Sequence, residues 1–188
     1  MTGPSGAGAP APVPTLEHKL GQVIQYAYTV PDLAEAMDRY TKVLGIGPWF
    51  KRGPFVPGQA LYRGEPAAAQ LSLARAFSGD SMIELIQQHN DEPSVFREVI
   101  GLRGFGFHHW AVPTRAFTGD TRRYTELGFE VAYSDILDTG AKIHYMDTLA
   151  ELGGMVELVE ATPAQLDRYT LFYRSSIGWD GSEPVRPG

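Results

Sequence analysis

The sequence predicts an α+β fold made of two tandem βαβββ modules, and three observations support this prediction. The 188 residues are 43% hydrophobic and 20% charged, as is typical of a globular domain. Two similar stretches begin at Gln25 and at His109, about 84 residues apart. Within each stretch, short apolar runs with a period of two flank one segment of helical pattern. Together these features indicate a duplicated unit of one helix and four strands.

The repeat is clearest in two pairs of segments. The sequence RYT occurs at 39–41 and again at 123–125, and MIELIQ at 82–87 corresponds to MVELVE at 155–160. Solenoid repeats span only ~20–50 residues, so a period of this length indicates a duplicated module instead.

Each half has the same predicted order of a strand, a helix and three strands. The first half has its strands at 23–30, 48–51, 70–77 and 82–87 and its helix at 32–43; the second has its strands at 107–112, 130–134, 141–147 and 155–160 and its helix at 118–127. Asp32 is suited to cap the first helix, and Gly45 and Gly128 are suited to end the two helices.

The segments outside the modules set the predicted boundaries. A Gly/Pro/Ala-rich start and the final SEPVRPG predict unstructured tails, while residues 91–100 and 164–176 predict helices. The expected organisation is a tail at 1–19, a first module at 20–90, a linker helix at 91–104, a second module at 105–161, and a C-terminal helix and tail at 162–188.

Composition excludes several classes of protein. With no cysteine, the chain has no disulfide framework and no thiolate site. A net charge of −6 gives no electrostatic footprint for nucleic acid. No apolar run approaches the ~20 residues that span a bilayer, and the N-terminus lacks the pattern of a secretory signal. A soluble cytoplasmic protein without a nucleic-acid or membrane partner is expected.

Four polar residues interrupt the apolar strands at positions that the repeat relates. Gln25 corresponds to His109, and Glu84 corresponds to Glu157. Both glutamates lie between apolar neighbours on strands whose opposite face is also apolar, where an unpaired charge is costly. The four side chains are therefore predicted to converge.

An imidazole, two carboxylates and an amide oxygen can form an octahedral site for a divalent metal with two open positions. The alternatives are that each glutamate lies on a solvated concave face, or that His108 is the functional histidine. The alignment with Gln25 favours His109, and His108 is expected to face the helices.

These features resemble the vicinal oxygen chelate superfamily, which includes glyoxalase I, methylmalonyl-CoA epimerase, extradiol dioxygenases and bleomycin resistance proteins. The similarity covers residues 20–161 and depends on Gln25, VPDL at 30–33, Tyr40, LG at 44–45, HHWAV at 108–112 and GGMVEL at 153–158. It implies a U-shaped mixed sheet around a central cleft, with Gln25, Glu84, His109 and Glu157 as metal ligands.

The ligand set most resembles that of some glyoxalase I enzymes and of glyoxalase-like proteins. Methylmalonyl-CoA epimerases typically carry His at the position of Gln25 and Gln at that of Glu84. Extradiol dioxygenases use two histidines and one glutamate. Glutathione-using glyoxalases carry an arginine where this chain has Thr29.

The resemblance implies a glyoxalase-like isomerase, epimerase or lyase. A divalent metal (Zn, Ni, Co, Mn or Mg, with iron less favoured) is expected to stabilise an enolate or enediolate. Glu157 or Glu84 is expected to act as general base. The substrate is expected to be a small hydrophobic or aromatic carbonyl compound. The predicted pocket residues are Met82, Ile86, Phe107, Met155, His144, Trp49 and Tyr145.

Other possibilities stay open. The chain could be a metal-free binding or sequestration protein of the bleomycin-resistance type, a metal-dependent dioxygenase, or an enzyme that opens a ring or transfers a group on a natural product. Lys51, Arg52 and Arg75 could meet a carboxylate or phosphate, although isolated basic residues at strand edges are usually solvated. The linker helix and residues 169–173 offer apolar surface, so a homodimer is expected.

Overall fold

The chain folds into one curled mixed sheet with helices on both of its faces, which confirms the predicted α+β class. A computed structural model describes residues 16–188. The strands are β1 (Gln25–Thr29), β2 (Trp49–Phe55), β3 (Leu61–Tyr62), β4 (Glu65–Pro66), β5 (Leu71–Ser78), β6 (Ser81–Gln88), β7 (Gly106–Thr114), β8 (Val131–Ile136), β9 (Lys142–Met146), β10 (Met155–Glu160) and β11 (Val185–Pro187). The helices are α1 (Leu33–Leu44), α2 (Val95–Arg103), α3 (Phe117–Glu126), α4 (Leu149–Leu152) and α5 (Pro163–Ser176).

The order of the strands shows the two predicted halves. It runs β11-β2-β5-β6-β1-β7-β10-β9-β8-β3-β4. In each half the first strand lies parallel to the last, β1 beside β6 and β7 beside β10. The halves join through the antiparallel pair β1 and β7. The four strands β6, β1, β7 and β10 therefore form the centre of the sheet.

Helices α1 and α3 cover the outer face of the sheet. Asp32 caps α1 by accepting a hydrogen bond from the backbone N–H of Glu35 at 2.8 Å, and Gly45 ends the helix in the left-handed conformation at φ 68°. Leu33 and Met37 of α1 pack into a buried apolar cluster with β2, β5 and β6. Phe117 of α3 packs into the corresponding cluster of the second half.

Helices α2 and α5 pack against the concave face. Val95, Phe96 and Val99 of α2 join a large buried cluster that contains residues of both halves. Phe172 of α5 stacks on Phe50 at a centroid distance of 4.2 Å.

The apolar side chains of α5 correct one sequence-based expectation. Tyr169 and Phe172 are buried within their own chain, so they do not offer surface to a second copy. Leu171 is 57% exposed. The homodimer stays a prediction, which light scattering at micromolar concentration would test.

Several short elements were not predicted. The β3–β4 hairpin of the first half pairs with β8 of the second, and β11 pairs in parallel with β2. Such strands of two or three residues carry no periodic signal, because distant pairing partners fix them. The expected C-terminal tail is therefore wrong at residues 185–187.

The predicted N-terminal tail lies mostly outside the described residues, which begin at Leu16. Glu17–Lys19 form a short 3-10 turn. Among residues 16–188, no helix combines the length and apolar character needed to cross a membrane.

Candidate metal centre

The structure brings together all four residues that the repeat singled out. Gln25 lies on β1, Glu84 on β6, His109 on β7 and Glu157 on β10, the four central strands. The register places Ala27 of β1 opposite both Glu84 and His109, so these side chains share one face of the sheet. All four residues are buried.

The polar atoms of this group are close to one another. Gln25 Nε2 lies 3.0 Å from Glu84 Oε2, 3.2 Å from His109 Nε2 and 3.4 Å from Glu157 Oε2. His109 Nε2 lies 3.4 Å from Glu84 Oε2 and 3.3 Å from Glu157 Oε2. Ligand atoms bound to one ion at about 2.0–2.2 Å are about 3.0–3.5 Å apart, so these spacings suit a divalent metal.

Gln25 gives a second sign that the group can hold a cation. Its Oε1 atom is buried and has no hydrogen-bond partner within the described chain, and such an unpaired acceptor is costly. A half-turn of the amide exchanges its oxygen and nitrogen. In that orientation the amide oxygen joins the two carboxylates and the imidazole as a fourth donor.

The charges of the group are strongly coupled. Arg75 Nη2 lies 2.6 Å from Glu84 Oε1. Burial alone would raise the pKa of Glu84, but Arg75 and His109 together hold that pKa below its usual value. Burial likewise opposes charge on His109, but the carboxylates of Glu157 and Glu84 outweigh it and raise its pKa to about 9. Without a metal, His109 is therefore protonated at neutral pH.

A β-bulge in β7 turns the side chain of His108 toward that of His109. Ala27 pairs with His109 and Tyr28 with Phe107, so His108 is the extra residue of β7. His108 faces a helix, as expected, but that helix is α2 on the concave side of the sheet. Its ring lies on the concave side, 5.0 Å from the ring of Phe96 on α2 and 6.0 Å from that of Tyr145, measured between centroids.

The hydrogen bonds of His108 determine which nitrogen of His109 faces the group. His108 Nε2 lies 3.1 Å from the carbonyl oxygen of Val95 and must donate to it, because a carbonyl only accepts. Burial, followed by the charge of His109, lowers the pKa of His108 to about 3, so its ring is neutral. Its Nδ1 atom therefore accepts from His109 Nδ1–H at 3.0 Å. His109 Nε2 is left pointing at the candidate ligands.

The bulge also changes the predicted pocket. Phe107 would share the ligand face by simple alternation, but the extra residue turns it to the outer face, where it contacts Tyr28 and Trp110. His144 also faces outward, with Nδ1 3.1 Å from Thr121 Oγ1 of α3. Trp49 packs under α1 and donates to Thr41 Oγ1 at 2.9 Å. These three residues are not pocket residues.

The other predicted pocket residues lie on the concave side. Tyr145 lines the cavity above the group, and its ring lies 4.6 Å from that of His109. Met82, Ile86 and Met155 are buried in the apolar clusters beneath α2 and α5 and do not line the cavity. Glu84 and Glu157 form part of the cavity wall.

The cavity has a volume of about 150 Å³. Its lining combines apolar side chains with a few charged ones. The sequence prediction did not include Leu71, Leu73, Phe96, Asp135 and Ile143. Arg75 corrects the expectation of a solvated basic residue, because its side chain is only 15% exposed. The sequence contains a signal for this burial, because Arg75 lies between apolar residues in the strand 70–77, as Glu84 does in its own strand.

Comparison with known proteins agrees with this architecture. A family profile described as the glyoxalase/bleomycin resistance protein/dioxygenase superfamily matches residues 24–146. No curated protein matches the sequence.

Solved structures share the fold at low sequence identity. A hypothetical protein from Bacillus halodurans C-125 is 18% identical with a TM-score of 0.59, over 75% of this chain and 94% of the other. Methylmalonyl-CoA epimerase from Mycobacterium tuberculosis is 19% identical with a TM-score of 0.52, over 76% and 89%. A variant of the Streptomyces coelicolor epimerase in complex with 2-nitronate-propionyl-CoA is 16% identical with a TM-score of 0.51, over 77% and 97%.

Proposed function

Because the chain belongs to the glyoxalase/bleomycin resistance protein/dioxygenase superfamily, we propose that it is a metal-dependent enzyme that moves a proton next to a carbonyl group. The reaction class is an isomerisation, epimerisation or lyase reaction on a small carbonyl compound. The observation that carries this proposal is the convergence of Glu84, His109 and Glu157, whose ligand atoms all lie within 4.8 Å of one another. Gln25 completes the set.

The two glutamates differ in their freedom to move. One oxygen of Glu84 is held by the Arg75 guanidinium at 2.6 Å. Glu157 has polar contacts with Gln25 and His109, and neither is an arginine. Since a base that shuttles a proton must change position between substrate and resting site, Glu157 is the proposed base and Glu84 the fixed ligand.

The proposed step uses the cavity above the group. A divalent ion held by the four side chains would supply Lewis-acid stabilisation of negative charge on the substrate oxygen. Glu157 removes a proton from the carbon next to the carbonyl. The C–H electron pair forms a C=C bond, and the π pair of the C=O bond moves onto the oxygen, which gives an enolate. The same carboxyl group then returns the proton to a neighbouring carbon, which completes an isomerisation.

Tyr145 is suited to orient the substrate oxygen. Burial, followed by the nearby carboxylates, raises the pKa of Tyr145 well above its ordinary value, so the phenol stays protonated. A neutral phenol in the cavity wall can donate a hydrogen bond to a carbonyl or enolate oxygen. The surrounding apolar side chains exclude water and strengthen that interaction.

Metal content tests this proposal directly. Purified protein is expected to bind one divalent ion per chain when titrated with Mn(II), Co(II), Ni(II) or Zn(II). Glu84→Gln and Glu157→Gln are each expected to weaken binding by more than about 100-fold, beyond the ~10–100-fold effect of outer-shell substitutions. Calorimetric titration with elemental analysis measures this change. The control is Glu151→Gln, which removes an exposed carboxylate of α4.

Native metal affinity in Glu84→Gln or in Glu157→Gln would refute the ligand assignment.

The chemical step is tested separately by deuterium exchange in NMR, with a panel of 2-hydroxy ketones, 3-oxo acids and acyl thioesters. The metal-loaded protein is expected to exchange a proton next to the carbonyl. At saturating metal, Glu157→Gln is expected to slow this exchange by at least about 100-fold, as loss of a general base does. Metal binding without exchange in any class would count against the enzyme proposal.

The charge balance of the group favours one second candidate. The formal charges of the two carboxylates are matched by the Arg75 guanidinium and the protonated His109 imidazole. The group therefore needs no ion for neutrality, as in a metal-free binding protein of the sequestration type. Failure to take up any of the four metals would support that candidate.

A further inference from the structure

We propose that the substrate carries a carboxylate, or a comparable singly charged oxyanion group, and that Arg75 binds it. The proposal rests on the proposed function, since it specifies the substrate class of the same site. Arg75 lies on β5 directly opposite Glu84 on β6 and lines the cavity. It thus borders both the candidate metal ligands and the space for a substrate.

The guanidinium of Arg75 has unused binding capacity. It offers five N–H donors in a planar fork, of which Nη2 forms the ion pair with Glu84. The Nε atom is buried and has no hydrogen-bond partner among the described residues. A buried unsatisfied donor of a charged group is costly, and the guanidinium fork is suited to bind an anion through charge-assisted hydrogen bonds.

The other arginines of the cavity, Arg52 and Arg168, both contact Asp138, whereas Arg75 contacts the candidate metal ligand Glu84. Arg52 Nη1 lies 3.0 Å from Asp138 Oδ1, and Arg168 contacts both oxygens of Asp138 at 2.7 and 3.2 Å. Arg75, which is also the arginine bound to a candidate metal ligand, is the better placed to meet a substrate.

The charge of the loaded site points to a monoanion. Two carboxylates, one guanidinium and one divalent ion leave a single positive charge in a group that is largely removed from water. Charges interact strongly in such surroundings, so a ligand with one negative charge is favoured over a neutral one. Without Arg75 the loaded group would be neutral and would have no such preference.

The cavity limits the size of the reacting part of the substrate. Its volume of about 150 Å³ is comparable to that of a cavity that holds one benzene ring. Leu71, Leu73 and Ile143 supply apolar walls. The substrate class is therefore a carbonyl compound whose acid group stands close to the carbonyl, on a short apolar chain or a single ring.

A matched pair of probes tests this proposal. Phenylglyoxylate and its neutral amide have the same ring and the same ketone and differ in charge. In calorimetric titrations of Mn(II)-loaded protein, the acid is expected to bind about 10- to 100-fold more tightly than the amide. Arg75→Met is expected to abolish this preference, so that the acid and the amide bind with equal affinity. Arg115→Met, which removes an exposed arginine paired with Glu17, is expected to preserve it.

A second variant guards against misfolding, because loss of Arg75 leaves Glu84 without its ion pair. Arg75→Lys keeps the charge but loses the planar fork, and it is expected to keep an intermediate preference. The thermal midpoint and Mn(II) content of each variant are measured on the same samples. Equal affinity for acid and amide in the native protein, no binding of the acid at millimolar concentration, or an unchanged preference in Arg75→Met would overturn the proposal.

The test separates this proposal from the proposed function. If the native protein takes up no metal, the metal-dependent enzyme proposal fails, and the same probes are titrated into the metal-free protein. A preference for the acid that disappears in Arg75→Met would then still support anion binding by Arg75. Equal affinities would contradict it.

Discussion

Replacement of His108 by phenylalanine is expected to lower the affinity for divalent metal by about 10- to 100-fold, the usual effect of losing an outer-shell hydrogen bond. His108 does not point at the ligand group. It accepts the Nδ1–H of His109 at 3.0 Å and donates to the Val95 carbonyl at 3.1 Å. These two bonds fix the ring of His109 so that Nε2 faces the carboxylates. Phenylalanine keeps an aromatic ring beside Phe96 and removes both bonds.

The variant His108→Asn separates the two hydrogen bonds. Its side-chain oxygen takes nearly the position of the Nδ1 atom and can accept from His109, while the shorter side chain does not reach Val95. Metal affinity is expected to recover in His108→Asn, and the loss of the Val95 bond is expected to appear only as a stability cost of about 1–3 kcal/mol. Calorimetry measures the affinity, and the ¹⁵N shifts of the His109 ring in the Zn(II)-loaded protein report its tautomer.

Two results would contradict this role for His108. The first is native metal affinity in His108→Phe. The second is an unchanged His109 tautomer in a variant that nonetheless binds metal poorly, because the loss would then come from general disturbance of the site.

Trp49→Ala is expected to destabilise the fold by about 3–5 kcal/mol, the range for removing a fully buried aromatic side chain. Trp49 has no exposed surface, and its ring meets that of Tyr40 edge-on at 6.1 Å between centroids. Its indole N–H donates to Thr41 Oγ1. These contacts attach α1 to β2 on the outer face of the sheet. Denaturant unfolding measures the free energy of unfolding.

This substitution also distinguishes a core residue from a pocket residue. If Trp49 belongs only to the core, the variant that remains folded below the unfolding transition binds metal with native affinity. Trp49→Phe serves as the matched control and is expected to lose less than half as much stability, since most of the buried ring area remains. A loss below about 1 kcal/mol for Trp49→Ala, or a loss of metal affinity in the folded protein, would contradict the assignment of Trp49 to the core.

The four-residue group could be predicted from the sequence because two independent regularities coincide there. Duplication relates Gln25 to His109 and Glu84 to Glu157, and strand alternation places each of them on the inner face. A carboxylate between apolar neighbours is costly enough to signal a partner. The convergence of these side chains follows from the strand order.

The pocket wall was predicted less well because it depends on a β-bulge and on the pairing of distant strands, which the alternation of side chains along one strand does not reveal. The bulge at His108 reverses the faces on its N-terminal side and turns Phe107 outward. His144 alternates with Tyr145, so only the pairing of β9 with β10 decides which of the two faces the cavity. The β3–β4 hairpin acquires its position from a partner strand in the other half. Tertiary pairing of this kind has no local signature.

The candidate metal centre lies across the boundary between the two halves of the sheet, where β1 pairs with β7. Gln25 and Glu84 come from the first half, and His109 and Glu157 come from the second. An ion bound there would act as a cross-link across that boundary, so its binding free energy would resist separation of the halves. A substitution that weakens the contact between the two halves, even far from the ligands, would therefore lower the affinity for the ion. The strength of metal binding would then report how tightly the two halves are joined.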